Sequence, residues 1–267
     1  MAIRITFQDG RTVGNCESLV LTFCQRDFSY RNYDLVAVPQ DNLLTLDQIR
    51  LANRIVARMP IRVAESLWRD STRISHALSR VPASVGLTNP NDEIPWDGIC
   101  ALFDVCMRPG TRTATATKVL HKKRPELIPI LDSVVAGYLS RVSALRLTDQ
   151  ASEARWATKL TAVAKRDIDN NLDGFYELQD QLDAKGYALS VVRLYDILFW
   201  GWSGEYSPAW QGGAIQSIST PAGASGRRRP MPEHVKEKIR QANIKYWSQP
   251  KARERMRRIQ LRRWGKQ

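Results

Sequence analysis

Histidine is scarce, three in 267 residues, and cysteine is nearly so, with four. Cys16, Cys24, Cys100 and Cys106 form no CxxC pair and have no histidine nearby, which argues against both a zinc site and a disulfide framework. They read as buried or incidental thiols. No carboxylate cluster or histidine motif suited to a catalytic metal is present, so no cofactor is expected. Long apolar runs are missing too. Nothing approaches the roughly 18 consecutive apolar residues of a membrane span, and MAIRITFQDGR lacks the basic-then-apolar layout of a signal peptide. The expectation is a soluble cytoplasmic protein with no membrane partner, and 43% hydrophobic content is enough for a real core.

Acids are rare in one region only. From Arg227 to Gln267 there are 15 Lys and Arg against Glu233, Glu237 and Glu254, which is +12 of the formal +13. Residues 1–226 are thus a near-neutral body at +1. Such asymmetry points to nucleic acid or an anionic surface, through contacts that weaken with salt. Before the tail comes QGGAIQSISTPAGASG, small and polar with no apolar period, which reads as a flexible linker. The expected organisation is a body at 1–210, a linker at 211–226 and a basic tail at 227–267.

The tail repeats itself. KEKIRQANIKYW and RERMRRIQLRRW align without gaps at an offset of 17, pairing Ile239 with Met256, Arg240 with Arg257, Ile244 with Leu261, Lys245 with Arg262 and Trp247 with Trp264. Two short helices broken at Pro250 follow from this, with bases interleaved among apolar residues as phosphate tracking requires. Arg240, Lys245, Arg257 and Arg262 are the candidate phosphate contacts. The pattern resembles the nuclease-associated modular DNA-binding repeats of homing endonucleases.

The body opens with β-leaning pieces, AIRITF at 2–7 and LVAV at 35–38. Helical periodicity then takes over. TLDQIRLANRIVARM has Thr45 and Gln48 in capping-box spacing and sets Ile49, Ala52, Ile55, Val56 and Met59 on one face. Further amphipathic stretches fall near 62–79, 94–107, 114–124, 131–145, 152–169 and 188–201. The fold class expected is mostly α with a small N-terminal β element.

One break in that periodicity carries the functional argument. IPWDGICALFDVCM and TATATKVLHKK are helical, and RPGTRT between them is a tight hairpin. Unpaired N–H groups at the start of the second helix are natural phosphate donors. Gly110 lets a phosphate oxygen approach, Thr111, Thr113 and Thr115 offer hydroxyls, and Arg112 and Lys118 add charge. His121, Lys122, Lys123 and Arg124 close the helix, either suiting its dipole or touching phosphate.

PGTRTATATKVL resembles the hairpin of the helix-hairpin-helix DNA glycosylase superfamily, the endonuclease III and adenine-glycosylase group, with Pro109, Gly110, Thr115, Ala116, Val119 and Leu120 in register. The resemblance implies that Asp132, in LDSVV, is the catalytic aspartate. It departs at Arg112, where the family has a second glycine. The lysine of lyase-active members falls on Ala114, which implies a monofunctional enzyme. No cysteine follows Cys106, so an iron–sulfur cluster is not implied.

N-glycosidic cleavage develops positive charge on deoxyribose, and a buried carboxylate stabilises it while deprotonating water. Asp132 also has the alternative of merely capping the helix after it. Tyr195, Asp196, Phe199, Trp200 and Trp202 in LYDILFWGW are candidates to hold a flipped base, or else core. The reading is a monofunctional glycosylase on double-stranded DNA, in repair or against modified foreign DNA, with no protein partner implied. The alternatives are a non-catalytic DNA clamp and, last, a mobile-element nuclease.

Overall fold

A computed structural model describes residues 3–203, with side chains through Gly201. The chain divides into two units, Met1–Ala214 and Ile215–Gln267, and the described residues belong to the first. The linker, the tail with Arg240, Lys245, Arg257 and Arg262, and the Trp202 side chain lie outside the described residues.

The fold is mostly α-helical with a small N-terminal sheet. β1 (Ile5–Thr6) and β2 (Thr12–Val13) pair antiparallel, with Ile5 opposite Val13. Alternation along AIRITF turns Ile3, Ile5 and Phe7 inward. α1 (Cys16–Arg26) is a helix without the usual start signal in its sequence: Asn15 before it is left-handed and makes no side-chain cap. A π-helical turn, Tyr30–Asp34, follows.

LVAV at 35–38 is a loop, not a strand. Its neighbourhood is tied down by side chains from elsewhere: Lys122 Nζ donates to the Asp34 carbonyl, Lys123 Nζ to Pro39 and Arg124 Nη1 to Gln40. Those carbonyls thus find their donors without a β ladder.

α2 (Leu46–Leu51) starts with the expected capping box of Thr45 and Gln48, but ends early. A 3-10 turn, Ala52–Ile55, leads to Val56 in the left-handed region at φ 61. Ile49, Ala52, Ile55 and Met59 are buried as expected, whereas Val56 is 48% exposed. The Asn53 side chain explains the break: it accepts from Met59 N at 2.7 Å and donates to Met59 O at 3.0 Å, pinching the loop shut. Left-handed backbone costs a residue with a Cβ about 1–2 kcal/mol, which this two-bond clamp helps to offset.

The stretch at 62–79 is two helices, α3 (Ile61–Arg69) and α4 (Ser71–Ser79), separated at Asp70. Then come α5 (Trp96–Cys106), α6 (Thr113–His121), α7 (Ser133–Ser143), α8 (Glu153–Asp169), α9 (Leu172–Asp183) and α10 (Val191–Ser203). α5 packs between α4 and α8. Gly98 permits the approach to α4, since a Cβ there would lie 2.8 Å from the Arg80 carbonyl. α10 is the central helix, buried from Val191 to Trp200 and packed on α1, α7 and α9.

Candidate active site and hairpin

Pro109 and Gly110 form the centre of a tight turn. Arg108 N donates to Thr111 O at 3.1 Å, Thr111 N donates to Arg108 O at 2.8 Å, and Gly110 has φ +88. This is the pattern of a type II turn, which favours proline and then glycine at its centre. The glycine has a second use. A Cβ at position 110 would lie 2.8 Å from Val63 Cγ2, so the absence of a side chain seats the hairpin against α3. Arg108 pairs with Asp70 at the α3–α4 junction. Gly110 is therefore a packing residue as well as a turn residue.

The start of α6, expected to hold phosphate, holds a carboxylate of the protein instead. Glu153 Oε1 accepts from Thr113 N at 2.8 Å and from Thr113 Oγ1 at 2.7 Å, and Glu153 Oε2 pairs with Arg112 Nε at 2.6 Å. Helix-start N–H groups favour any anion, and Glu153, at the first position of α8, is the one supplied. Thr111 is wholly buried, with its hydroxyl lacking a partner among the described residues; Thr115 is half-buried. Beside the hairpin lies a shallow cleft of about 340 Å³, lined by Asp104, Met107, Arg108, Pro109, Arg112, Ser152, Glu153 and Ala154.

The basic run closing α6 is internal. Lys123 and Arg124 are buried, and Arg124 reaches the carbonyls of Leu78, Val81 and Gln40 and the Asn42 side chain. His121 is buried with Nδ1 2.7 Å from the Ile128 carbonyl, and burial, with Arg193 adding to it, pushes its pKa down to about 3. These groups anchor α6 to the loop at 34–42 and to α4, and do not face solvent phosphate.

Lys118 also points inward. It is 6% exposed and donates to the Ile55 carbonyl at 2.8 Å, just before the strained Val56. Burial lowers its pKa, while attraction to Asp132 raises it. Asp132 is 7% exposed and caps α7: its Oδ1 accepts from Val134 N at 2.9 Å and Val135 N at 3.1 Å. The capping expectation is thus met. Only one carboxylate oxygen is used for it.

The segment before Asp132 is held from both sides. Leu131 N donates to Thr117 Oγ1 on α6 and Ile130 N donates to Asp196 Oδ2 on α10. Asp196 is fully buried, and burial pushes its carboxyl well above the usual range. Beside it, Arg193 is clamped by Asp34 through Nε at 2.8 Å and Nη2 at 2.9 Å. Arg193 Nη1 stops 4.0 Å from Asp196 Oδ2, and both Nη1 and Asp196 Oδ1 are buried without a hydrogen-bond partner among the described residues. Such orphans are rare in native interiors.

The aromatic candidates with described side chains are all buried. Tyr195 is fully buried, donates to Asp167 Oδ2 at 3.0 Å and packs on Phe7; Phe199 packs on Tyr138 at 4.5 Å and on Phe7. These two are core. Trp200, 8% exposed, belongs to the core as well, with the guanidinium carbon of Arg193 5.8 Å from its ring.

Sequence reasoning does not single out Asp34, Arg193 or Glu153. Arg193 is findable, because it shares a stripe of one helix with Asp196 and Trp200. Among the described residues no group of His, Cys, Asp and Glu could hold a metal ion, and no helix is long and apolar enough to cross a membrane. No curated protein and no solved structure matches the chain. One family model does, over residues 25–203, and the chain belongs to that family, the family of unknown function DUF6308.

Proposed function

We propose that the chain binds double-stranded DNA and hydrolyses an N-glycosidic bond in it, with Asp132 as the carboxylate that stabilises the sugar cation and deprotonates the attacking water. The observation that carries this reading is the half-used carboxylate. Oδ1 of Asp132 is fixed by two backbone N–H groups, while Oδ2 has no hydrogen bond among the described residues. A buried carboxylate oriented by one oxygen and open at the other suits a reaction that develops positive charge beside it. Lys118 balances its charge, and Lys118 Nζ is already committed to the Ile55 carbonyl. With alanine at position 114 in the first turn of α6, hydrolysis without lyase chemistry is the outcome expected. Of the aromatic candidates, Tyr195, Phe199 and Trp200 are buried in the core, so they do not supply a ready stacking surface for a flipped base.

The second reading is a non-catalytic DNA clamp. It is favoured by the completeness of the Asp132 cap and by the Glu153 carboxylate at the hairpin. Incubating the full chain with duplexes carrying damaged or hypermodified bases, and assaying free base by mass spectrometry, separates the two. Release from at least one substrate supports the hydrolase. Tight DNA binding with release from none would leave the clamp.

A further inference from the structure

The near-neutral charge of the body conceals a local excess. Between residues 50 and 80 there are seven arginines (50, 54, 58, 62, 69, 73 and 80) and two acids, Glu65 and Asp70. Asp70 is taken by Arg108 of the hairpin, and Arg50 pairs loosely with Asp47 at 3.8 Å. The other six arginines are exposed, and their side chains make no ion pair within 4 Å and no hydrogen bond among the described residues, although Asp70 also attracts Arg73. Arg62 and Arg69 lie seven apart on α3, and Arg73 and Arg80 repeat that spacing from α4 into its C-cap, so each pair shares one side. Trp68 stands out beside them at 49% exposure.

The start of α3 brings this arginine-rich segment against the hairpin and close to the Ile55 carbonyl that Lys118 holds. Val63 of α3 carries the hairpin on its side chain, next to the 69%-exposed Arg112. Just before α3, the strained loop after Ile55 presents Arg58; Lys118 of α6 donates to the Ile55 carbonyl at 2.8 Å, and its neighbour Thr117 holds Leu131, the residue before Asp132. Arginines gathered in this excess over Glu65 and Asp70 leave a net positive surface, whose natural complement is a polyanion with regularly spaced charges.

We infer that the exposed arginines of residues 54–80, on the loop after Ile55 and on α3 and α4, form a contact surface for the phosphate backbone of duplex DNA. The inference rests on the DNA-binding half of the proposed function and adds a site to it. Phosphate contacts fix register and orientation without reading sequence. A duplex held there would lie beside the corner that contains Asp132.

The test uses the full chain and a fluorescent duplex, with affinity measured by anisotropy across a salt series. Arg62→Gln, Arg69→Gln and Arg73→Gln are combined, and a charge-matched control combines Arg26→Gln, Arg141→Gln and Arg166→Gln, exposed residues of α1, α7 and α8. In the first variant the slope of log K against log salt should fall by about 0.9 for each phosphate that is no longer neutralised, and in the control it should stay near the parent value. Equal slopes in the two variants overturn the inference, because net charge alone would then account for binding. Loss of binding to phosphatidylserine vesicles with DNA binding unchanged also overturns it, in favour of a membrane surface. Base release at saturating DNA is followed in the same samples. A reduced slope with no release from any chain keeps this interface and defeats only the glycosylase reading.

Discussion

At the hairpin start of α6 the strong donors are already engaged: Thr113 gives both its N–H and its hydroxyl to Glu153, and Arg112 pairs with the same carboxylate. At the corner between α6, α7 and α10 the reverse holds, with Arg193 Nη1 and Asp196 Oδ1 buried and unpartnered among the described residues beside a half-used Asp132. Both regions are built from buried or half-buried charge, yet at one the charged groups and the helix-start donors are closed by the protein, with only the Thr111 hydroxyl left over, and at the other they are left open. A closed polar network stabilises a fold and specifies its packing. Open buried groups are costly, and persist where something else is to occupy them or where chemistry uses them.

The largest structural effect should come from breaking the hairpin. Gly110→Val places a branched side chain at φ +88 and against Val63, so urea unfolding should show a loss of about 3 kcal/mol, combining overpacking with left-handed strain. A variant of parental stability with weakened DNA binding would show instead that the turn faces phosphate.

A second effect sharpens the buried corner through His121. Its pKa, near 3 in the fold against an ordinary 6.5, means that the unfolded chain takes up a proton first as the pH falls. The stability due to its neutral form is therefore present above about 6.5 and lost towards 3, at up to about 1.4 kcal/mol per pH unit. Relative to the parent, His121→Gln should become progressively more stable from pH 7 to pH 4 in denaturant titrations. A constant difference would mean that His121 is not held neutral by burial.

The smallest effect tests the closed end. Glu153→Ala should cost about 1 kcal/mol, as removal of a helix cap does, and should raise duplex affinity by exposing Thr113 N–H and Arg112 to phosphate. Reduced stability with unchanged affinity would make the hairpin a packing device alone.

The same contrast separates what is legible in the sequence from what is not. The helices at 96–106, 113–121, 133–143, 153–169 and 191–203 are legible within a few residues, because each carries an apolar stripe. α9 is not, since acids crowd LDGFYELQDQLD and its Gly174 is explained only by β1, where Ile5 Cδ1 would lie 3.1 Å from a Cβ. The end of α2 depends on one asparagine side chain closing on a residue six positions away. Asp132 is legible as a cap and as a lone acid after a hairpin. Glu153 is not, because its partners lie 40 residues earlier and no local pattern links them. Lys118 is expected on the solvent side, the usual location of a lysine; its inward turn follows from the position of the Ile55 carbonyl.

The most direct test of the central claim is single-turnover base release by Asp132→Asn against the parent, at saturating DNA, on a substrate from which the parent releases base. Asparagine keeps a side-chain oxygen for the α7 cap and removes the charge, so the rate should fall by about 10²–10⁴-fold, with duplex affinity within a few-fold and helical content unchanged. A variant that is folded, binds DNA and releases base at the parental rate would contradict the assignment of Asp132 and reduce it to a helix cap.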